Sequence, residues 1–433
     1  MREIKIRKFI LFLSDIFFLF SSLYLILLIR FNKVLSFEEY KIFSQSFFPL
    51  FLLWIFFLFI LDFYSLKLRI GELKFFHHLS IFFFLSLSSG VLYFYFQPHL
   101  PIRPRTILVF LISFFLVFFL LWRWFFEFLF KYRKKKENIY FLGDNFSETE
   151  ELISEIKKQH LPYNIIGKSQ NLKDLEKALK KETIKELILS RPLRDFRKSP
   201  FLQKISFESF GSFYERITQK EAFSALVDPI FLEDFYKKDD NSYLISKRIF
   251  DLFFSFIGTL FFLLLLPFIA FGIKIDSPGP VFIIQKRIGK DGKIFHSIKF
   301  RSLIFKEEEP KALSEIWREK DKKEITRVGR FLRFTHLDEI PQFLNILKGE
   351  MSLVGPRPEL ERLGRVFEKE IPFYFLRYYV KPGFTGWGQI NFPPSRSLEE
   401  AREKFQYDLY YLKHRSFLFD IIIFLKSLRK FLS

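Results

Sequence analysis

Four apolar stretches, a polar run of alternating strand and helix patterns, and a fifth apolar stretch broken by a proline predict a three-part chain. It has a membrane α-helical region of four N-terminal spans (1–136), a small α/β module (137–243), and a mixed, mainly α-helical domain with a re-entrant membrane helix (244–433). The 433 residues are 49% hydrophobic with 66 Phe, too apolar and too aromatic for one ordinary soluble domain. Yet 27% are charged and the net charge is +20, so apolar and charged residues must be segregated along the chain. The absence of Cys excludes disulfides, thiolate nucleophiles and Cys-based metal centres, and seven scattered His supply no ligand cluster.

The first four stretches cover 9–28, 47–66, 79–96 and 107–122, each close to the ~20 residues that cross ~30 Å of hydrocarbon. No small-residue cleavage site follows the first, so it reads as a retained anchor rather than a signal peptide. Twelve cations flank the spans on one side, including Arg2, Lys5, Arg7, Lys8, Lys67, Arg69 and the run from Lys131 to Lys136. Only five lie on the other, Arg30, Lys33, Lys41, Arg103 and Arg105, which places both ends of the unit in the cytoplasm. Trp122 and Trp124 around Arg123 read as an interfacial belt, and Asp15 and Asp62 as headgroup contacts. With no interior charge pair legible in the spans, a transporter is disfavoured.

The fifth stretch, 252–273, is long enough to span but has cations on both flanks: Lys247 and Arg248 before, Lys274, Lys286, Arg287 and Lys290 after. Pro267 removes a backbone hydrogen bond within it. A helix that enters, bends and returns satisfies both facts; a kinked fifth span is the alternative. Before it, the polar segment reads as strands at 138–143, 164–167 and 184–189 with helices at 148–158 and 172–181. This alternation suggests a small Rossmann-like unit. It is a degenerate one, because Gly143-Asp144-Asn145-Phe146 lacks the glycines that approach a pyrophosphate. A structural module and a homodimer surface are the expectations for it.

Chemistry-bearing motifs gather after Lys274. Ser277-Pro278-Gly279-Pro280 marks a turn before a strand at 281–285, and Lys299 and Arg301 share a face if that segment is extended. Thr335-His336-Leu337-Asp338-Glu339-Ile340-Pro341-Gln342 leads into an apolar run. Thr335-x-x-Asp338 also fits a capping box, so Asp338 is open to a structural reading as well as a chemical one. Adjacent helical residues point ~100° apart, which suits two carboxylates with separate tasks rather than one shared proton. Arg357, between Pro356 and Pro358, is conformationally restricted and well suited to hold a phosphate. The last segment, 398–432, has the basic and aromatic periodicity of a helix on a membrane surface, or equally of a packed amphipathic helix.

The ordered motifs Lys247-Arg248-x-x-Asp251, Ser277-Pro-Gly-Pro280, Gln285-x-Arg287-x-Gly289, Lys299-Phe-Arg301-Ser302, Leu337-Asp-Glu-x-Pro-Gln342, Val354-Gly-Pro-Arg-Pro358 and Pro382-Gly-x-Thr-Gly-Trp-x-Gln389 resemble the bacterial sugar transferase family. These are polyprenyl-phosphate hexose-1-phosphate transferases, here in the long form with four N-terminal spans. Lys381 stands where the family usually has Arg, Gly388 where it has Ala, and Leu266 where some members have Ser.

The resemblance implies a Mg²⁺-dependent phosphoglycosyl transferase of the bacterial inner membrane, its catalytic domain on the cytoplasmic face. It would pass a sugar-1-phosphate from a UDP-sugar to polyprenyl (undecaprenyl) phosphate and release UMP, initiating O-antigen, capsule or exopolysaccharide synthesis. It puts the nucleophile on Asp338 and a Mg²⁺ ligand on Glu339. Lys299, Arg301, Arg333 and Arg357 become phosphate or nucleotide contacts, and Pro267 the membrane break. A carboxylate nucleophile lets a cytosolic and a lipid substrate react in turn through an aspartyl-phosphosugar. The rival reading is a non-catalytic membrane scaffold or regulator of polysaccharide assembly. Because the cations flank the spans, anionic lipid is the expected partner of the +20 charge, and nucleic acid is not.

Overall fold

The computed structural model describes residues 2–64, 70, 72–96, 105–131, 136–143, 147–158, 161–170, 172–181, 183–190, 205–223, 241–304 and 325–432. Lys67, Arg69, Arg103, Arg133, Lys134, Lys135 and the turn at Asp144-Asn145-Phe146, all used above, lie outside them. The chain divides into two compact units, Met1–Lys136 and Glu137–Ser433.

In the first unit, α1 (Arg2–Phe31), α2 (Phe37–Ile60), α3 (Leu73–Phe96) and α4 (Arg105–Lys131) are long and apolar. The second begins ten residues before its apolar stretch because Ser36 caps it: its hydroxyl accepts from Glu39 N–H while the Glu39 carboxylate accepts from Ser36 N–H. Phe47, Phe51, Trp54, Phe82, Phe115 and Phe119 pack between the helices. Asp15 corrects a sequence expectation. It is fully buried within the protein and accepts from Arg123 Nη2 at 2.7 Å, so its partner is a side chain rather than a headgroup. Arg123 is buried too, its guanidinium 4.6 Å from the Phe119 ring centre, so these helices do hold an interior charge pair. Partners 108 residues apart leave no local pattern in a sequence.

The second unit opens with β1 (Glu137–Leu142), α5 (Ser147–Lys158), β2 (Tyr163–Ser169), α6 (Leu172–Lys181), β3 (Glu186–Leu189), β4 (Ser206–Ser209) and α7 (Phe210–Thr218). The strands form one parallel sheet in the order β2-β1-β3-β4. Alternate residues of β1 serve opposite faces: Ile139 and Phe141 pack with α5 and α7, Tyr140 and Leu142 with α6. Gly143, at φ 138°, lies where a Cβ would come 1.5 Å from Ser190 Oγ, so the close approach of the chain at Ser190 accounts for this glycine. The fourth strand and α7 were not legible in the polar segment.

A 36-residue helix, Asn241–Asp276, follows and contains Pro267. Lys247, Asp251, Ser255, Gly258, Phe262 and Ile273 form a stripe at helical spacing that packs on the rest of the unit, while Phe253, Phe256, Leu264, Phe268 and Phe271 are exposed. Both ends are tied to the same body. Arg248 donates to the carbonyls of Ile346 and Leu347, and Asp276 accepts from Val328 N–H. The antiparallel hairpin β5 (Phe282–Ile288) and β6 (Ile294–Phe300) and the short parallel pair β7 (Ser352–Val354) and β8 (Gly383–Thr385) frame the site. The C-terminal segment is two helices, Leu398–His414 and Phe417–Leu432. Phe405, Leu409, Tyr411 and Leu412 of the first are buried, so this helix is core rather than membrane surface.

Candidate active site

The helix Arg327–Phe334 starts at Thr326, whose hydroxyl accepts from Gly329 N–H, and ends at Thr335. His336 takes a left-handed conformation at φ 54°, turning the chain into a 3₁₀ turn over Leu337–Glu339. Thr335 therefore closes the preceding helix, its hydroxyl donating to Phe331 O, and Asp338 caps nothing; the capping-box reading is not realised. The following helix, Gln342–Lys348, is fastened to β6 through Asn345, which accepts from Ile298 N–H and donates to His296 O. This brings the Asp338-Glu339 turn against the end of β6, where Lys299 projects.

Glu339 is clamped. Its Oε1 accepts from Lys299 Nζ and from Arg357 Nη2, each at 2.6 Å. Burial pushes this carboxyl up, but the charges of Arg357 and Lys299 outweigh it and hold Glu339 well below the usual carboxylate range. Lys299 moves the other way: burial, joined by the cations Arg357 and Arg287, outweighs Glu339 and brings its pKa down to about 8. Asp338, next to this clamp, makes no hydrogen bond or ion pair with the described residues. Burial and the neighbouring Glu339 charge raise its pKa, with Lys299, Arg333 and His336 opposing.

Asp338, Glu339, Lys299 and Arg357 thus converge, with Arg333 beside Asp338 and its Nε donating to Ser302 Oγ at 2.8 Å. Arg301 is not brought together with them. β6 ends at Phe300, so the alternation of faces stops there. The buried guanidinium of Arg301 turns back to donate to the carbonyls of Ile273, Ser277 and Pro278, closing the long helix. Pro267 lies in that helix, outside the carboxylate cluster. Three charged residues without an assigned task in the sequence surround the Arg357 loop: Arg287, Arg377 and Glu359. Arg287 at least stood inside a quoted motif; Arg377 carried no local signal.

As to a metal, both contacts to Glu339 fall on Oε1, leaving Oε2 and the Asp338 oxygens as hard donors without a hydrogen bond among the described residues. That set fits Mg²⁺, which takes one or two carboxylates and completes its sphere with substrate oxygens and water. No group of three His, Asp or Glu suited to a metal occurs among the described residues.

The profile of a family described as bacterial sugar transferase matches residues 242–433. Over 191 residues the chain is 39% identical to a UDP-N-acetylgalactosamine-undecaprenyl-phosphate N-acetylgalactosaminephosphotransferase of Aeromonas hydrophila, covering 44% of each chain. It is 39% identical over 193 residues to a UDP-glucose:undecaprenyl-phosphate glucose-1-phosphate transferase of Xanthomonas campestris pv. campestris, covering 44% of this chain and 40% of that one. The exopolysaccharide production protein PSS of Rhizobium leguminosarum bv. phaseoli is 38% identical over 185 residues, 42% of this chain and 92% of its own. The match spans less than half of the first two relatives and nearly all of the third. On the ordered motifs, the site they build and this coverage, the chain belongs to the bacterial sugar transferase family.

Proposed function

We propose that the chain transfers a sugar-1-phosphate from a UDP-sugar to polyprenyl phosphate, with Asp338 as the transient carrier. The supporting observation is the unequal state of two adjacent carboxylates: Glu339 is fixed between Lys299 and Arg357, whereas Asp338 beside it makes no hydrogen bond or ion pair among the described residues. A nucleophile must be uncommitted, and the groups around it must be rigid. In the first step an Asp338 carboxylate oxygen bonds to the sugar-bearing phosphorus as the anhydride bond to UMP breaks. In the second, a phosphate oxygen of the lipid attacks that phosphorus and the aspartyl bond breaks, restoring Asp338. Neither step consumes a proton donor, since UMP leaves as a phosphate and the acceptor enters as one.

Arg357 and Lys299 supply the cations for the phosphoryl oxygens, with Arg333 next to Asp338. A Mg²⁺ held by Glu339, with Asp338 and substrate oxygens, would offset charge on the diphosphate.

The membrane arrangement follows the same reading. Residues 1–136 form four spans with both ends in the cytoplasm, and the helix Asn241–Asp276 enters and leaves the cytoplasmic leaflet of the bacterial inner membrane. Its first turns and its last both fasten to one domain, as a re-entrant segment requires and a span across the bilayer does not. The sugar-loaded lipid would start O-antigen, capsule or exopolysaccharide synthesis. The test is to incubate the chain with a UDP-sugar, without lipid acceptor, and search by mass spectrometry for a phosphosugar on the peptide carrying Asp338. UMP release at the wild-type rate by Asp338→Asn would refute the assignment.

A further inference from the structure

The segment Pro356-Arg357-Pro358-Glu359 presents Arg357 to Glu339, yet two of its four residues have no N–H to donate. Its carbonyls show how it is held. Pro356 O accepts from Gly383 N–H at 2.8 Å, Arg357 O from Arg377 Nη2 at 2.8 Å, Pro358 O from Arg287 Nη1, and Glu359 O from Ile288 N–H at 3.1 Å. Four consecutive carbonyls are thus each gripped from outside, two by backbone and two by guanidinium groups. The grip on Arg357 itself comes from Arg377.

Arg377 is 3% exposed and its own geometry is over-determined. Nη2 also donates to Asp408 Oδ2 at 3.0 Å, and Nη1 donates to Glu359 Oε1 at 3.3 Å and to the Tyr374 hydroxyl. Asp408 is buried on the helix Leu398–His414, with Gly388 so close that a Cβ there would lie 2.7 Å from Oδ1. Neither Arg377 nor Asp408 makes a hydrogen bond to Asp338, Glu339 or Lys299. We infer that Arg377, held by Asp408, is a positioning residue that aims the Arg357 guanidinium by fixing the Arg357 carbonyl. A planar fork is required, because one side chain must serve a carbonyl, two carboxylates and a hydroxyl in fixed directions; the ammonium of Lys cannot.

This inference rests on the transfer reaction proposed above and is tested by a double-mutant cycle on the full chain in lipid nanodiscs. The rate of UMP release is measured for wild type, Arg377→Lys, Arg357→Lys and the double variant. Loss of a supporting partner costs roughly 10–100-fold in activity, so Arg377→Lys should lower kcat/KM by that factor while its unfolding midpoint stays near wild type. In the Arg357→Lys background, where no fork remains to be aimed, the same change should cost less than about threefold. Equal losses in both backgrounds, or no loss in either, would overturn the proposal. Asp408→Asn keeps the shape and an acceptor oxygen and gives the same comparison should Arg377→Lys fail to fold. An Asp338→Asn variant at wild-type rate would sink the underlying reaction, whereas an inactive Asp338→Asn with an additive cycle would sink the positioning role alone.

Discussion

Glu339→Gln tests the charge balance of the site most directly. The carboxylate is 14% exposed and neutralises two cations at once, Lys299 at 15% and Arg357 at 35% exposure. Removing one partner of a buried ion pair costs about 3–5 kcal/mol. The partial exposure of Arg357 reduces this toward the surface value, leaving an expected loss of about 2–4 kcal/mol. Because the folded pKa of Glu339 lies below its ordinary value, that stability difference is full above about pH 4.5 and closes as pH falls through the lower folded pKa. A second effect reads the same contact through Lys299. Its ammonium titrates near pH 8, so kcat/KM of the wild type should fall as pH rises through about 8. Without the Glu339 charge that raises it, Lys299 should lose its proton at lower pH and move the alkaline limb down. Chemical unfolding from pH 7 downward through the folded pKa of Glu339, together with the pH profile of UMP release, measures both. An unchanged alkaline limb with unchanged stability would refute the reasoning that Lys299 and Glu339 act as one electrostatic unit.

Asp338→Asn should behave oppositely: with no hydrogen bond to lose among the described residues, stability should stay within about 0.5 kcal/mol of wild type, while UMP release should fall by on the order of a thousandfold. Arg301→Lys should cost about 2–4 kcal/mol through carbonyls left unsatisfied at the end of the helix Asn241–Asp276, without moving either limb of the pH profile, as checked by unfolding and rate measurements together. Gly355→Ala should prevent accumulation of folded protein, because its Cβ would lie 2.5 Å from Lys381 O and 3.0 Å from Gly383 N, backbone atoms that cannot yield; expression as a monodisperse detergent complex is the readout.

Much of this protein is written locally. Apolar length and the Ser36–Glu39 cap set the first four helices, because a long apolar helix satisfies its own backbone within one segment. The strands at 137–142 and 163–169 and the helices α5 and α6 likewise follow short-range patterns of polarity. The residues Asp338, Glu339, Lys299 and Arg357 stood out through chemical type and motif order. Tertiary structure alone decided which of two neighbouring carboxylates is clamped, since Lys299 and Arg357 reach Glu339 from 40 and 18 residues away. It also turned Arg301 from a phosphate candidate into a helix closure, paired Asp15 with Arg123, and gave Arg377 its hold on the Arg357 carbonyl. Periodicity describes how a side chain leaves its own element. What it meets depends on elements far along the chain, and charge and hydrogen-bond partnership are settled at that meeting.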